Sequence, residues 1–509
     1  MRGRGLESLA RHPKISYLAA ARKIHCVIFA RPGMHFFQGS ISVLISVRFG
    51  YHVIRGQLRD GANRCARRFS GDAPSESCAG QGGLMDKTDR AFTRRHFIAS
   101  AAGSALSLSI ANNVTAHGHA INSVRVGGPT SVPNNFGDTW NAAWADDDNL
   151  YTPSDDTLGF DIPDFLSNKE QLKLFQRDGA SFFKKLTADQ RSRFEGQFGP
   201  IAFNRVEGGD PLNMHGVTVS RVHDYAMQDG LQSSSDAMLL GQQPRTPAPD
   251  GRSWKSSGCA FIDGTLYWVI ARHKYPENSE VKGLRQSATD ASIIKSTDYG
   301  KTWTRSAKEN FDSPMFPGST FATPYFVDYG KYRGSVDGAD KYVYAISNNG
   351  FWDNGDTLIL GRVSRTRIGL LNGSDWEYFA GGDGLAHSNW TRDSKEAKPI
   401  IDKPGKLGMT GAVYLPARQR YMMVGWYYPA GSGYLKGAST TTVWDFYVAS
   451  SPWGPWSCIG SHTWSPQGYY TPGICPKFQS GTRVYALTAG DFNDWWDYYR
   501  LTVVPIDLL

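Results

Sequence analysis

The sequence is poor in cysteine, with six in 509 residues. Three of them, Cys259, Cys458 and Cys475, lie beyond residue 120. They are too few for a disulfide framework and lack the paired spacing of a metal site. Cys458 and Cys475 can pair in an oxidising compartment, and a buried free thiol is the other state open to each. Also missing are Gly-x-Ser-x-Gly, His-Glu-x-x-His, a Walker loop and the dinucleotide fingerprint. Chemistry built on those devices is therefore not expected, and neither a cofactor nor a metal is implied. Asp146-Asp147-Asp148-Asn149 has the composition of a calcium loop without its spaced ligands and closing Glu, so it reads as a hairpin turn. No long apolar run is uninterrupted: Phe36 to Ile54 is broken by Gln38, Arg48 and His52, which predicts no stable membrane span.

Excess positive charge is confined to the start of the chain. The formal net charge is +8, yet residues 1–84 hold 13 Lys and Arg against 4 Asp and Glu, and residues beyond 120 hold 38 basic and 41 acidic groups. A nearly neutral working domain gives no reason to expect nucleic acid as a partner. Thr93-Arg94-Arg95-His96-Phe97-Ile98, the small and apolar run Ala99 to Ala111, and Val114-Thr115-Ala116 follow the order n-region, h-region and cut, in the twin-arginine form. The expected division is a mis-assigned start or disordered leader over 1–84, a twin-arginine signal peptide over 85–120, and the working domain over 121–509. Such a chain meets the Tat translocase during export and ends in the periplasm or the medium, here as a monomer.

From about residue 255 onward, short runs rich in Val, Ile, Tyr and Trp recur between turn residues, with little helical periodicity. They fall into groups of four: Cys259 to Asp263, Thr265 to Arg272, Ala291 to Ser296 and Thr302 to Ser306; then Ala322 to Asp328, Tyr342 to Ser347, Thr357 to Ser364 and Asp375 to Phe379; then Gly411 to Leu415, Arg420 to Tyr427, Thr442 to Ser450 and Trp456 to Ile459. A final group, Gly473 to Phe478, Arg483 to Ala489 and Tyr499 to Ile506, is one strand short. Each complete group passes from its third strand through a tight turn to a tryptophan: Trp303, Trp376, and Trp453 with Trp456. The first of these turns, Ser296-Thr297-Asp298-Tyr299-Gly300-Lys301-Thr302-Trp303, is a complete Asp box, in which the Asp ties the turn and the Trp packs between sheets. Upstream, Asp138 to Trp144, Asn149 to Thr152, Ile201 to Glu207 and Gly216 to Val222 make one more group, interrupted by a helical insertion over about 165–200. The fold expected is all-β, a five-bladed β-propeller with a short helical insertion in the first blade, closed by Ser123 to Val126 supplying the missing last strand.

In a propeller, the loops leading into innermost strands and those joining second to third strands share one face around a central funnel. That rule puts Asp263 and Asp298 on the far face, and Asp138, Asp290, Asp353 and Asp356 on the funnel face. Asp138, in Gly137-Asp138-Thr139-Trp140, starts the first innermost strand. Glycoside hydrolysis needs two carboxyl groups flanking the scissile bond, and a third can tune a neighbour, so Asp138, Asp290 and Asp356 are the catalytic candidates. Each also has a plain reading as a turn former. Trp254, Trp352, Trp495 and Trp496 fall in funnel-face loops, where flat rings can stack on sugars or pack between blades. Arg272 and His273 end a second strand at that rim, beside Lys274 and Tyr275. Trp254, Arg272, His273, Trp352 and Trp495 are the substrate-binding candidates.

Gly137-Asp138-Thr139-Trp140 with Trp144-Ala145-Asp146-Asp147, Trp254-Lys255-Ser256-Ser257-Gly258, the Asp box, Gly355-Asp356-Thr357-Leu358 with Gly361-Arg362-Val363, and Pro452-Trp453-Gly454-Pro455-Trp456 resemble a family of secreted bacterial five-bladed propellers. Formerly of unknown function, that family includes endo-D-arabinanases, and the resemblance covers about residues 125–509. It implies a carbohydrate-active enzyme with acidic catalytic residues in the funnel and a polysaccharide or oligosaccharide substrate; by position, Asp138 matches the aspartate of the family's Gly-Asp-Thr motif. The Asp box also resembles that of sialidases. Two other functions fit the same residues: a polysaccharide lyase, in which His273, Lys274 and Tyr275 supply a base and a cation, and a non-catalytic propeller that binds glycan or protein.

Overall fold

In a computed structural model, the residues described are 120–160, 162, 186–190, 192, 199–221, 253–274, 285–306, 314–430, 441–490 and 498–509. The chain divides into two units, Met1–Ser107 and Leu108–Leu509, and every described residue belongs to the second. The expected leader, the expected twin-arginine signal and most of the expected helical insertion thus lie outside the described residues.

The elements are almost all strands. In chain order they are β1 (Val124–Val126), β2 (Thr130–Ser131), β3 (Phe136–Asp138), β4 (Ala143–Trp144), β5 (Leu150–Gly159), β6 (Gly199–Glu207), β7 (His215–Arg221), β8 (Ser253–Ile262), β9 (Thr265–Lys274), β10 (Ser287–Ser296), β11 (Tyr325–Asp328) and β12 (Tyr342–Asn348). There follow β13 (Gly355–Ser364), β14 (Glu377–Phe379), β15 (Trp390–Thr391), β16 (Ile401–Leu407), β17 (Ala412–Leu415), β18 (Arg420–Tyr427), β19 (Thr442–Ala449), β20 (Ser457–Trp464), β21 (Tyr470–Ile474), β22 (Arg483–Ala489) and β23 (Leu501–Leu508). They pair as five antiparallel meanders: β3 and β4 with β5, β6 and β7; β8 to β10; β11 to β15; β17 to β20; and β21 to β23 completed by β1. This is a five-bladed β-propeller. The ring closes where Val124 lies opposite Leu508 and Val126 opposite Ile506, so the first strand of the domain finishes the last blade.

Apolar side chains on both faces of each meander bury themselves against the neighbouring blades, which is why these strands read as continuous Val, Ile and aromatic runs. Trp303 sits between Phe203 of the first blade, at 4.6 Å between ring centroids, and Trp268 of the second, at 5.2 Å. Trp376 packs on Phe316 and Phe321, joining the second blade to the third. In the fourth blade Trp453 is the buried ring, set against Tyr344 of the third, while Trp456 is only partly buried. The turn before Trp303 is held by Asp298, which accepts from Thr302 N at 2.9 Å and Thr302 Oγ1 at 2.6 Å. Innermost strands come very close together: a Cβ on Gly258 would stand 2.5 Å from Tyr325 Cα, so only glycine fits there.

Several elements depart from the pattern expected from sequence; Thr302 to Ser306, expected as the second blade's outer strand, meets β10 only at an isolated bridge between Thr304 and Lys295. Strand β5 runs on from Thr152 through Pro153-Ser154-Asp155-Asp156 to Gly159. Strand β16 is an addition that pairs with the start of β13. The fourth blade's outer strand extends to Trp464 rather than Ile459. The cysteines Cys259 and Cys475 are buried free thiols, and Cys458 is an exposed one.

Candidate active site

The funnel ends of several strands are bulged, and the bulges aim the polar residues. In β3 the register shifts between Phe136 and Asp138, in β8 between Ser256 and Cys259, and in β21 between Tyr470 and Gly473. An extra residue in one strand bends it and redirects the neighbouring side chains. At the first bulge Gly137 has φ 144°, and a Cβ there would lie 2.5 Å from Thr157 Oγ1. Thr157 Oγ1 in turn donates to Phe136 O at 2.6 Å, which fixes the bulge to the second strand. Thr139, Asp156 and Thr471 follow with φ of 58°, 42° and 47°, a left-handed conformation that β-branched residues seldom adopt. Backbone held in this way concentrates at functional sites.

The bulges bring two carboxylates face to face. Asp138 lies directly opposite Asp155 across β3 and β5, a pairing that sets Cβ atoms about 5 Å apart. Both are buried, at 6% and 2% exposure. Asp138 Oδ2 accepts from the Tyr470 hydroxyl at 2.9 Å, and its Oδ1 has no hydrogen-bond partner among the described residues. Asp155 accepts from Ser256 N on both oxygens, at 2.9 and 3.1 Å. Asp156, next along β5, is paired with the Lys255 ammonium group. Burial pushes the Asp138 carboxyl well above the ordinary range, and the charges of Asp155 and Asp156 push it the same way, while Lys255 and Tyr470 oppose them. Burial also raises Asp155, to about 7, against the pull of Lys255 and Ser256. Burial thus works against charge on both members of the pair, and the Ser256 backbone donor favours charge on Asp155.

The wall around the pair mixes polar and aromatic side chains. His273 is buried, with its ring edge-on to Trp352 at 6.3 Å. Burial and the Lys255 charge lower it to about 3, so the imidazole is neutral. Trp352 also meets Tyr470 at 5.4 Å and Trp426 at 5.2 Å, which makes it a buried wall at 4% exposure and not an open stacking platform. Thr139 Oγ1, Ser256 Oγ, His273 Nε2, Tyr325 OH and Thr471 Oγ1 are buried without a hydrogen-bond partner among the described residues. Buried polar groups are nearly always satisfied, so this concentration of unmatched donors and acceptors suits a hydroxyl-rich ligand or its waters.

Of the residues singled out from sequence, the structure gathers Asp138, His273 and Trp352, linked through Tyr470 and Lys255. Arg272 is buried on the same strand as His273. Asp290, at the bulge of β10 next to the Thr289–Arg272 pair, accepts from Thr289 Oγ1 at 2.6 Å and Gly318 N at 2.8 Å. Asp356 forms a two-point pair with Arg285 at 2.8 and 2.7 Å and accepts from Gly405 N at 2.9 Å. The Arg285 hydrogen bonds hold its carboxyl far below the usual range. Trp495 and Trp496, and the side chains of Trp254 and Lys274, lie outside the described residues, as does Tyr275. Asp155, Asp156, Lys255, Ser256, Tyr325 and Tyr470 were not singled out as site residues from sequence. No group of three or more His, Cys, Asp and Glu able to hold a metal occurs among the described residues, nor does a helix long and apolar enough to cross a membrane.

No family model matches the sequence, and no curated protein matches it. Among solved structures, the chain is similar to a xylan β-1,4-xylosidase from Bacillus halodurans C-125, at 12% identity and a TM-score of 0.37, covering 74% of this chain and 54% of that one. It is similar to a β-fructofuranosidase from Bombyx mori at 9% identity and a TM-score of 0.37, covering 74% and 62%. An α-L-arabinanase from Penicillium chrysogenum, solved with arabinobiose, shares 12% identity and a TM-score of 0.34, covering 75% and 99%. Likeness at this distance carries no argument about chemistry, which rests on the funnel itself.

Proposed function

We propose that the protein is an exported glycoside hydrolase that cleaves a polysaccharide, of D-arabinan type or similar, between Asp138 and Asp155. The observation that carries this reading is the buried, directly opposed carboxylate pair, one member with a backbone donor and the other with an unmatched oxygen. Asp138 gives the proton on Oδ1 to the glycosidic oxygen as the bond from that oxygen to the anomeric carbon breaks and its electron pair goes to the leaving group. Asp155, ionised, either takes a proton from the attacking water or bonds to the anomeric carbon itself; the anomeric configuration of the first product separates the two routes. In this reading Asp290 and Asp356 hold the rim. His273 offers a neutral ring nitrogen to a sugar hydroxyl, with Arg272 and Trp352 forming the wall.

A lyase fits less well. Its base works best with a pKa near the operating pH, and His273 lies far below. The ammonium group that would neutralise a uronate, Lys255, is already matched by Asp156. The reading is tested by incubating the protein and its Asp138→Asn and Asp155→Asn variants with arabinans, xylans, fructans and uronate polysaccharides. Oligosaccharides should appear with the parent protein and fall by about 10²-fold or more with either variant. Equal release by all three proteins removes the pair from the mechanism, a product absorbing through a new double bond marks a lyase, and binding without release marks a non-catalytic propeller.

A further inference from the structure

We infer that Tyr470 is a positioning residue for Asp138, reserving Oδ1 as the oxygen that carries the reacting proton; this rests on the reading of Asp138 as the acid. A carboxylic acid can hold its proton on either oxygen, and only one of the two can face the scissile bond. The Tyr470 hydroxyl donates to Oδ2 at 2.9 Å, which makes Oδ2 the acceptor and leaves the proton to Oδ1. Oδ1 is the oxygen without a partner among the described residues.

Tyr470 is built to stay where it is. It is fully buried, its ring is flanked by Trp352 at 5.4 Å and Trp426 at 6.0 Å, and its carbonyl accepts from Thr488 Oγ1 at 2.6 Å. The bulge in β21 begins at this residue, and Thr471, next along, holds the left-handed backbone at φ 47° that turns the ring inward. Burial and the Asp138 charge keep its own hydroxyl protonated, with Tyr499 and Tyr428 acting in the same sense. It is therefore a permanent donor. The other groups facing Asp138 are Asp155 and Asp156 on β5 and Lys255 on β8, with Tyr325 on β11 feeling the same charge. Tyr470 alone among these is shown to hydrogen-bond Asp138.

The test is Tyr470→Phe, which keeps the ring and removes the donor, read in two ways. The first is titration of the Asp138 carboxyl by isotope-edited infrared or carbon NMR spectroscopy, assigned with Asp138→Asn. Losing a hydrogen bond that favours the ionised form should move this titration up by about one pH unit. The second is the pH profile of glycan release, whose alkaline limb should move up by the same amount while kcat falls about tenfold and KM stays within about twofold. A uniform loss of activity with both titration and profile unmoved would show that Tyr470 only packs, and would overturn the inference. If the parent protein releases nothing from any glycan while the titration still moves, the hydrolase reading fails and the positioning of Asp138 stands. Tyr470→Leu, which also lacks a donor, serves as the second variant should Tyr470→Phe lose cooperative melting: the titration should again move up, and an unmoved one overturns the inference.

Discussion

Three buried carboxylates, Asp138, Asp155 and Asp156, surround one buried ammonium group, Lys255. Ionising all three would leave uncompensated charge among buried groups, at a cost of several kcal/mol. Lys255 pairs with Asp156, and burial favours the protonated form of the facing pair. Sequence pattern alone could raise Asp138, because a carboxylate after Gly137 at a funnel mouth is suspicious, but could not show that its partner was Asp155. That protonation has a thermodynamic signature. A carboxylate raised in the folded state, as Asp155 is to about 7, binds its proton more tightly folded than unfolded, where the ordinary value is near 4. The stability from this difference is fully present below the unfolded value and is lost as pH rises through the folded one. The melting temperature of the parent protein should therefore fall between about pH 5 and pH 8, and Asp155→Asn, which has no proton to lose there, should fall less. Parallel curves from scanning calorimetry would show that Asp155 titrates normally.

At the scale of elements, the bulged funnel ends do the aiming, and they carry strain to do it. Thr139 and Thr471 are β-branched residues in left-handed backbone, each costing about 1–3 kcal/mol. Thr471→Gly should relieve that cost and raise stability by about 1 kcal/mol, read from denaturant midpoints, while lowering glycan release because Tyr470 is no longer held. A loss of stability would show that the Thr471 methyl packs more than its backbone strains. The same elements explain what could be read from sequence. Strands of alternating or continuous Val, Ile, Tyr and Trp were legible because blade packing demands them. Strand β5 was cut short at Thr152 because Pro153-Ser154-Asp155-Asp156 has turn composition, yet it is a strand whose polar residues line the site. Hairpin geometry held part of the clue: Ala143 pairs with Tyr151, which counts back to put Asp138 opposite Asp156, one residue from its actual partner Asp155. The bulge itself follows from tertiary contacts, so pattern could not supply it. Strand β16 was hidden for a related reason, since Pro404-Gly405 in its middle reads as a loop.

The blades of the described domain form a ring, and Asp138 meets Tyr470 only because that ring closes. The two residues stand 332 positions apart, one on the first blade and one on the last. The repeat of strand groups made the blade count legible, and the three-stranded last group called for a closing strand; the contact across the seam depended on closure that no local pattern encodes. What holds the seam can be weighed. Arg125 pairs with Asp507 at 2.8 Å, but with 70% of its side chain exposed that contact is screened by solvent and adds little. The larger share comes from β1 covering β23, with Val124 over Leu508 and Val126 over Ile506, and from backbone bonds such as Asn122 N to Leu509 O at 2.8 Å. A chain beginning at Gly127 should therefore lose at least about 5 °C in melting temperature relative to one beginning at Ile121, and should associate through the bared edge of β23. Arg125→Ala in the longer chain should change the melting temperature by no more than about 2 °C. If the shorter chain melts like the longer one and stays monodisperse in light scattering, the seam is held from within the blades, and β1 is a cover instead of a clasp.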